Sequence, residues 1–176
     1  MNQISMYAGQ TLKWTQPSSF RMEYQLLAGE DLLATLNFRS SLGTLATAET
    51  ASGCWTFKRV GFWQTRLTVR DCGVDQDLAV FKNNTWSGGG ALEFTDGRSF
   101  RATTNFWQTM LEFKNEKDET LLQFHSHGFF HFSAAVDIPP AATRLPELPM
   151  LICLGWYLIV MMQQDSAAGV AAAAAG

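Results

Sequence analysis

Charge is what this chain has least of. Only 16% of its 176 residues are Asp, Glu, Lys or Arg, where an ordinary globular chain carries about 25%. The formal net charge is -3, which argues against a general nucleic-acid or anionic-membrane binder, and nucleic acid is not an expected partner. Proline is sparse at 5 residues and cysteine at 3, too few for a collagen-like or disulfide-scaffold protein. Cys54, Cys72 and Cys153 form no Cys-x-x-Cys pair, and their odd count does not fit a disulfide framework; reduced thiols and a cytoplasmic location are the expectation. The first ten residues have neither the basic start nor the apolar stretch of a signal peptide. No Gly-x-Ser-x-Gly elbow occurs, and Gly88-Gly89-Gly90 has no following helix or Lys, so it reads as a turn and not as a phosphate loop. The sequence thus points to no enzyme, no catalytic residue and no cofactor.

What the chain does have is apolar bulk: 47% hydrophobic residues, with 13 Phe and 6 Trp. Such a composition predicts one folded domain with a large core. Part of the bulk is repeated. Phe62-Trp63-Gln64-Thr65-Arg66-Leu67-Thr68-Val69-Arg70 recurs 44 residues later as Phe106-Trp107-Gln108-Thr109-Met110-Leu111-Glu112-Phe113-Lys114. A fainter copy starts at Phe20. Within each copy the period is two, with Leu67 and Val69 on one face and Arg66, Thr68 and Arg70 on the other, which is the signature of a half-buried strand.

Continuing on alternation and turn residues, the sequence predicts strands near 11–15, 21–27, 31–38, 44–50, 53–60, 64–70, 77–82, 90–95, 98–104, 108–114, 119–125 and 129–137. Turn parity can be read as well. A three-residue loop at Thr95-Asp96-Gly97, with Gly97 left-handed, pairs Leu92 with Phe100 and keeps the apolar side chains on one face. About twelve short antiparallel strands would leave exposed edges unless the sheet closes, so a closed barrel is expected. A β-trefoil is the alternative, although it offers no place for the apolar run near the C-terminal end.

Past Pro139-Pro140 and Leu145-Pro146, residues 150–162 read Met-Leu-Ile-Cys-Leu-Gly-Trp-Tyr-Leu-Ile-Val-Met-Met. The run predicts a helix over about 147–163, apolar on every side and therefore buried in protein or in lipid. Thirteen residues span roughly 20 Å against about 30 Å of bilayer hydrocarbon, which favours a core helix over a membrane anchor. Residues 166–176 are an Ala-rich tail expected to fray, leaving 1–165 as the domain. This combination of about twelve antiparallel strands and one uniformly apolar terminal helix resembles the tubby-like barrel, the architecture of tubby C-terminal domains, phospholipid scramblases and LURP-one-related proteins. The resemblance implies a mainly β barrel whose axis is threaded by the helix. It carries over no functional residue, because neither a basic phosphoinositide cluster nor an acidic calcium run is found.

Two constellations are candidate sites. Lys58, Arg59, Arg66 and Arg70 stand in a stretch without acidic residues, beside the Phe62-Trp63 tip; such a face suits an anionic lipid head group or an acidic protein, and would bring peripheral membrane association with it. His125, His127 and His131 form the histidine cluster, and His-x-His on a strand aims two imidazoles to one side as a metal site requires. A two-residue turn at His127-Gly128 would point His131 away from His125, and a three-residue loop would bring them together. The expected function is a monomeric, non-catalytic binding module. The alternatives are a C-terminally anchored β protein and a His-based metal protein.

Overall fold

Alternating apolar residues become alternating burial along the strands. In Glu23–Ala28 and Met110–Lys114 every second side chain is buried, which is what a pleated strand with one face on the core produces. The computed structural model describes every residue except 8, 62–65, 85–88, 106, 128–132 and 175–176. Among them the strands are β1 (Leu12–Thr15), β2 (Glu23–Ala28), β3 (Asp31–Phe38), β4 (Ala46–Thr50), β5 (Gly53–Val60), β6 (Arg66–Asp71), β7 (Ala79–Asn84), β8 (Gly89–Phe94), β9 (Ser99–Thr104), β10 (Met110–Lys114), β11 (Thr120–His127) and β12 (Ser133–Asp137). Each pairs antiparallel with its neighbours in sequence, and β1 pairs with β12 through Leu12 and Val136, so the sheet closes into one barrel. Closure removes the edge strands. The sequential order also disposes of the trefoil alternative. The three copies of the sequence repeat fall on β2, β6 and β10, every fourth strand.

The turn reading at Thr95-Asp96-Gly97 holds in detail. Leu92 pairs with Phe100, the Phe94 N–H donates to the Arg98 carbonyl at 2.9 Å, and Gly97 has φ 91°, a value that costs glycine nothing.

The apolar run forms α1 (Leu148–Ala174). From Met150 to Met161 its side chains, and Gly155 among them, are buried on every side. The helix meets β3, β4 and β5 on one side and β10 and β11 on the other, so it threads the barrel. By length and composition Leu148–Val170 also qualifies as a membrane span, yet 72% of its most apolar window is buried inside the protein. The helix is longer than the sequence predicts: it runs on to Ala174, with 166–170 exposed, because alanine is the best helix former and the buried segment nucleates the rest. Pro149 sits in the first turn, where its missing N–H would have had no partner.

Gly155 is the position where wall and helix come closest. A Cβ there would overlap the Phe124 ring and press on Phe113. Glycine inside a helix normally costs about 0.5–1 kcal/mol relative to alanine, so Gly155→Ala on a free helix would stabilise. Here it is expected to destabilise by about 1–3 kcal/mol through overpacking. Urea unfolding checks the sign, and a variant as stable as the parent would mean that the Phe124 ring swings aside at no cost.

The cysteine expectation is corrected. Cys54 and Cys72 are joined by a disulfide, with their Cα atoms 5.4 Å apart. They oppose each other at the end of the β5–β6 ladder, where the Cys72 N–H donates to the Cys54 carbonyl at 3.0 Å. The odd count misleads because the third cysteine, Cys153, belongs to the buried helix. Its thiol pKa is pushed up by burial, which leaves it inert.

Candidate functional site

A barrel of twelve up-and-down strands has six strand connections at one end and, at the other, five more with the chain's passage into the helix. The segments 16–22, 39–45, 61–65, 85–88, 105–109 and 128–132 join strands at the end from which α1 emerges, here the mouth. In sequence each of them carries Phe, Trp or Leu, and none carries Asp or Glu. The opposite end, the floor, is built of acidic connections holding Glu30, Asp75, Asp77, Asp96, Glu116, Asp118 and Glu119. Both ends grip the helix by an ion pair. At the floor Arg98 bonds Glu147, just before the first helical residue. At the mouth Arg59 grips Asp165 with both guanidinium nitrogens, at 2.9 and 2.8 Å.

Arg59 reaches Asp165 because of strand parity. In β5, Trp55 and Phe57 face inward, so Arg59 two residues further on faces inward too, at the level where the helix leaves the barrel. The bond to Asp165 holds the Arg59 guanidinium above its ordinary pKa, against the burial that lowers it. About two helical turns deeper, the Tyr157 hydroxyl donates to the Thr44 carbonyl at 2.6 Å, and burial pushes its pKa up.

Between this ion pair and the wall lies a cavity of about 160 Å³. Its body is apolar, with Phe81, Leu111, Leu158 and Met161. Thr104, Gln108 and the Arg59–Asp165 pair add polar groups. A smaller hollow of about 20 Å³ lies against Arg66 and Tyr157, with Arg59 lining both. Gln108 has φ 53°, a conformation uncommon for a residue with a side chain. It is held there by Asn105, whose Oδ1 accepts from the N–H groups of Thr109 and Met110 at 2.8 and 3.1 Å.

The basic constellation read from the sequence is divided by the fold. Arg59 is turned inward and paired. Arg70 is outward but its Nε donates to Asp77 at 2.7 Å and its Nη1 bonds Asp75, two acids of the connection between β6 and β7. Lys58 and Arg66 are exposed on the outer wall, where Arg66 pairs in register with Val60 and Lys58 with Thr68. They are diagonal neighbours on one face, and neither joins an ion pair among the described residues. Phe62 and Trp63 lie outside the described residues. Of the histidines, His125 points outward beside Asp137, 3.3 Å away. Ser126 pairs with Ala134 and His127 with Ser133, so neither the two-residue turn at His127-Gly128 nor the three-residue loop forms; His131 lies outside the described residues. Among the described residues no group of three metal-ligating side chains assembles.

The mouth residues that sequence reasoning missed are Asp165, Phe20 and Leu42. Phe20 is 99% exposed, Leu42 97% and Trp107 78%, and all three stand in mouth connections. The signal was available in principle, since alternate connections of a meander share an end.

No family model and no curated protein matches the chain. Among solved structures, the X-ray structure of a protein from Arabidopsis thaliana, AT5G01750, superposes with a TM-score of 0.51 at 14% identity, covering 85% of this chain and 95% of that one. At that identity the likeness is one of fold, and the fold on this side of it is a closed twelve-stranded barrel carrying a C-terminal helix.

Proposed function

We propose that this protein is a non-catalytic binding module of the tubby-like barrel type, akin to LURP-one-related and scramblase-like proteins, that docks by its mouth on an anionic lipid surface. The observation that carries the reading is the sorting of side chains between the two ends. Phe20, Leu42 and Trp107 are exposed at the mouth together with Arg21 and Arg39, in connections without a single acidic residue, while the floor is acidic. Large exposed apolar side chains gathered at one place mark an interaction surface, and aromatic rings beside arginines suit the boundary between head groups and acyl chains. The helical turns 166–174, which emerge among these connections, carry no charge. Lys58 and Arg66 extend the basic character down the outer wall from the same end. Below the mouth cavity the interior leaves little room for chemistry, since the helix is buried without interruption from Met150 to Trp156. The element order and the fold likeness support the superfamily assignment.

Sedimentation with vesicles tests the docking. The protein is expected to pellet with phosphatidylserine-containing vesicles and less with neutral ones, and added salt weakens the electrostatic share. Replacing Phe20, Leu42 and Trp107 together by Ser is expected to lower binding by more than about tenfold, because each ring or isobutyl group removed from water contributes on the order of 1–3 kcal/mol. The three side chains are exposed, so the melting temperature should stay unchanged. Absence of pelleting by the parent protein, or full pelleting by the triple variant, would overturn the reading.

A further inference from the structure

We infer that the cavity at the barrel mouth is a binding site for a small amphiphilic carboxylate, an apolar body of about six carbons whose carboxylate takes the place of Asp165 on Arg59. This reaches beyond surface docking and does not depend on it.

Three independent features lead there. The first is the void itself. Protein interiors are close-packed, and spaces larger than a water molecule are few; this one, of about 160 Å³, opens at the mouth between α1 and the wall. That volume is comparable to an engineered apolar cavity known to hold benzene. The second is the distribution of chemistry around it. Phe81, Leu111, Leu158 and Met161 form the body, and methionine adapts its shape to what it meets. The cationic group lining the space is Arg59, whose planar fork matches a carboxylate in bidentate fashion. The fork is already occupied by a carboxylate, that of Asp165. The third is the difference between the partners: the Arg59 side chain is 24% exposed and that of Asp165 60%. Asp165 therefore loses little on swinging into water, while Arg59 stays at the cavity. A ligand carboxylate would exchange for it, leaving the number of charge-assisted bonds unchanged and adding the burial of the apolar body.

The same features select the ligand class. A phosphate monoester would bring nearly two negative charges to the one guanidinium, where a carboxylate brings one and replaces Asp165 charge for charge. A neutral alcohol would gain the apolar contacts but could not displace Asp165. Acetate would bond Arg59 and leave the body of the cavity empty.

Calorimetric titration of the full chain with hexanoate, hexanol and acetate, in the absence of lipid, tests this. Hexanoate is expected to bind at least about tenfold more tightly than either control, the factor that one charge-assisted hydrogen bond or a few buried methylenes supply. Asp165→Asn is expected to raise hexanoate affinity by about tenfold, since the competing carboxylate is gone. Thr104→Phe, which fills the mouth side of the cavity and leaves the ion pair in place, should abolish binding without lowering the melting temperature. Arg59→Gln should abolish it too, and if that variant fails to fold, Asp165→Asn, which retains Arg59, decides the matter. Equal binding of the three probes, or an Asp165→Asn variant that binds hexanoate no better than the parent, overturns the proposal. Because no vesicle is present, either result leaves the docking experiment to be judged separately.

Discussion

A chain cut before Leu145 is expected to be insoluble or unfolded. The removed helix contributes Leu151, Ile152, Leu154, Trp156, Leu158, Ile159, Val160 and Met161 to the core, all buried. Each large apolar side chain taken out of water contributes about 1.5–3 kcal/mol, and a whole domain is stable by only about 5–15 kcal/mol. The loss is double, because the inward side chains of the wall, Phe57, Phe113 and Phe124 among them, lose the surface they pack on. Hydrogen bonds around the closed ladder cannot compensate, since they are largely exchanged for bonds to water on unfolding. Near-ultraviolet circular dichroism and gel filtration of the truncated chain give the answer: a soluble barrel with ordered aromatic signals would mean that the strands make a core by themselves.

The second large effect is expected at Trp156. Its indole stacks on Trp14, centroids 5.6 Å apart and planes within 4°, and meets Tyr24 edge-on at 5.5 Å. Three rings from α1, β1 and β2 thus share one part of the core, at the seam where the first strand joins the barrel to the last. Burial pushes the Tyr24 hydroxyl pKa up to about 12. Trp156→Ala would leave a void lined by rings that cannot collapse without moving the backbone, at a cost of about 3–5 kcal/mol. For a chain of this length that corresponds to a melting temperature lower by roughly 10 °C. Trp156→Phe makes a sharp comparison. Neither indole N–H of the stacked pair has a hydrogen-bond partner among the described residues, so phenylalanine gives up no bond and removes an unsatisfied donor. Its loss should be under half that of alanine. Thermal melts of both variants check the order, and an alanine variant within about 3 °C of the parent would show that the void closes.

The measured effects would also separate two kinds of information. Strand positions, the Thr95-Asp96-Gly97 loop and the apolar helix were legible in the residues, because each depends on neighbours a few positions apart: a period of two buries one face, a left-handed glycine closes an odd loop, and a run without polar residues has to be enclosed. The closed barrel came from one further step, that so many short strands need their edges removed. Even the outward direction of Lys58, Arg66 and Arg70 was contained in strand parity.

The features that stayed hidden depend on which distant residues meet. The four cations between Lys58 and Arg70 looked like one patch along the chain, but parity turns Arg59 inward and the helix brings Asp165 to it across 106 positions. Asp75 and Asp77 answer Arg70 only because a loop folds back over the end of β6. Cysteine parity predicted free thiols, and the β5–β6 register instead set Cys54 against Cys72 and left Cys153 in the core. The exposure of Phe20, Leu42 and Trp107 at one end, and the cavity between α1 and the wall, likewise belong to the closed barrel and to the level at which α1 leaves it. Sequence alone determined the elements, their faces and the need for closure, since local sterics and hydrophobic periodicity act within one element. Tertiary structure decided every pairing of charge and sulfur and the division between an apolar mouth and an acidic floor, because those depend on contacts between elements that the chain order does not place side by side.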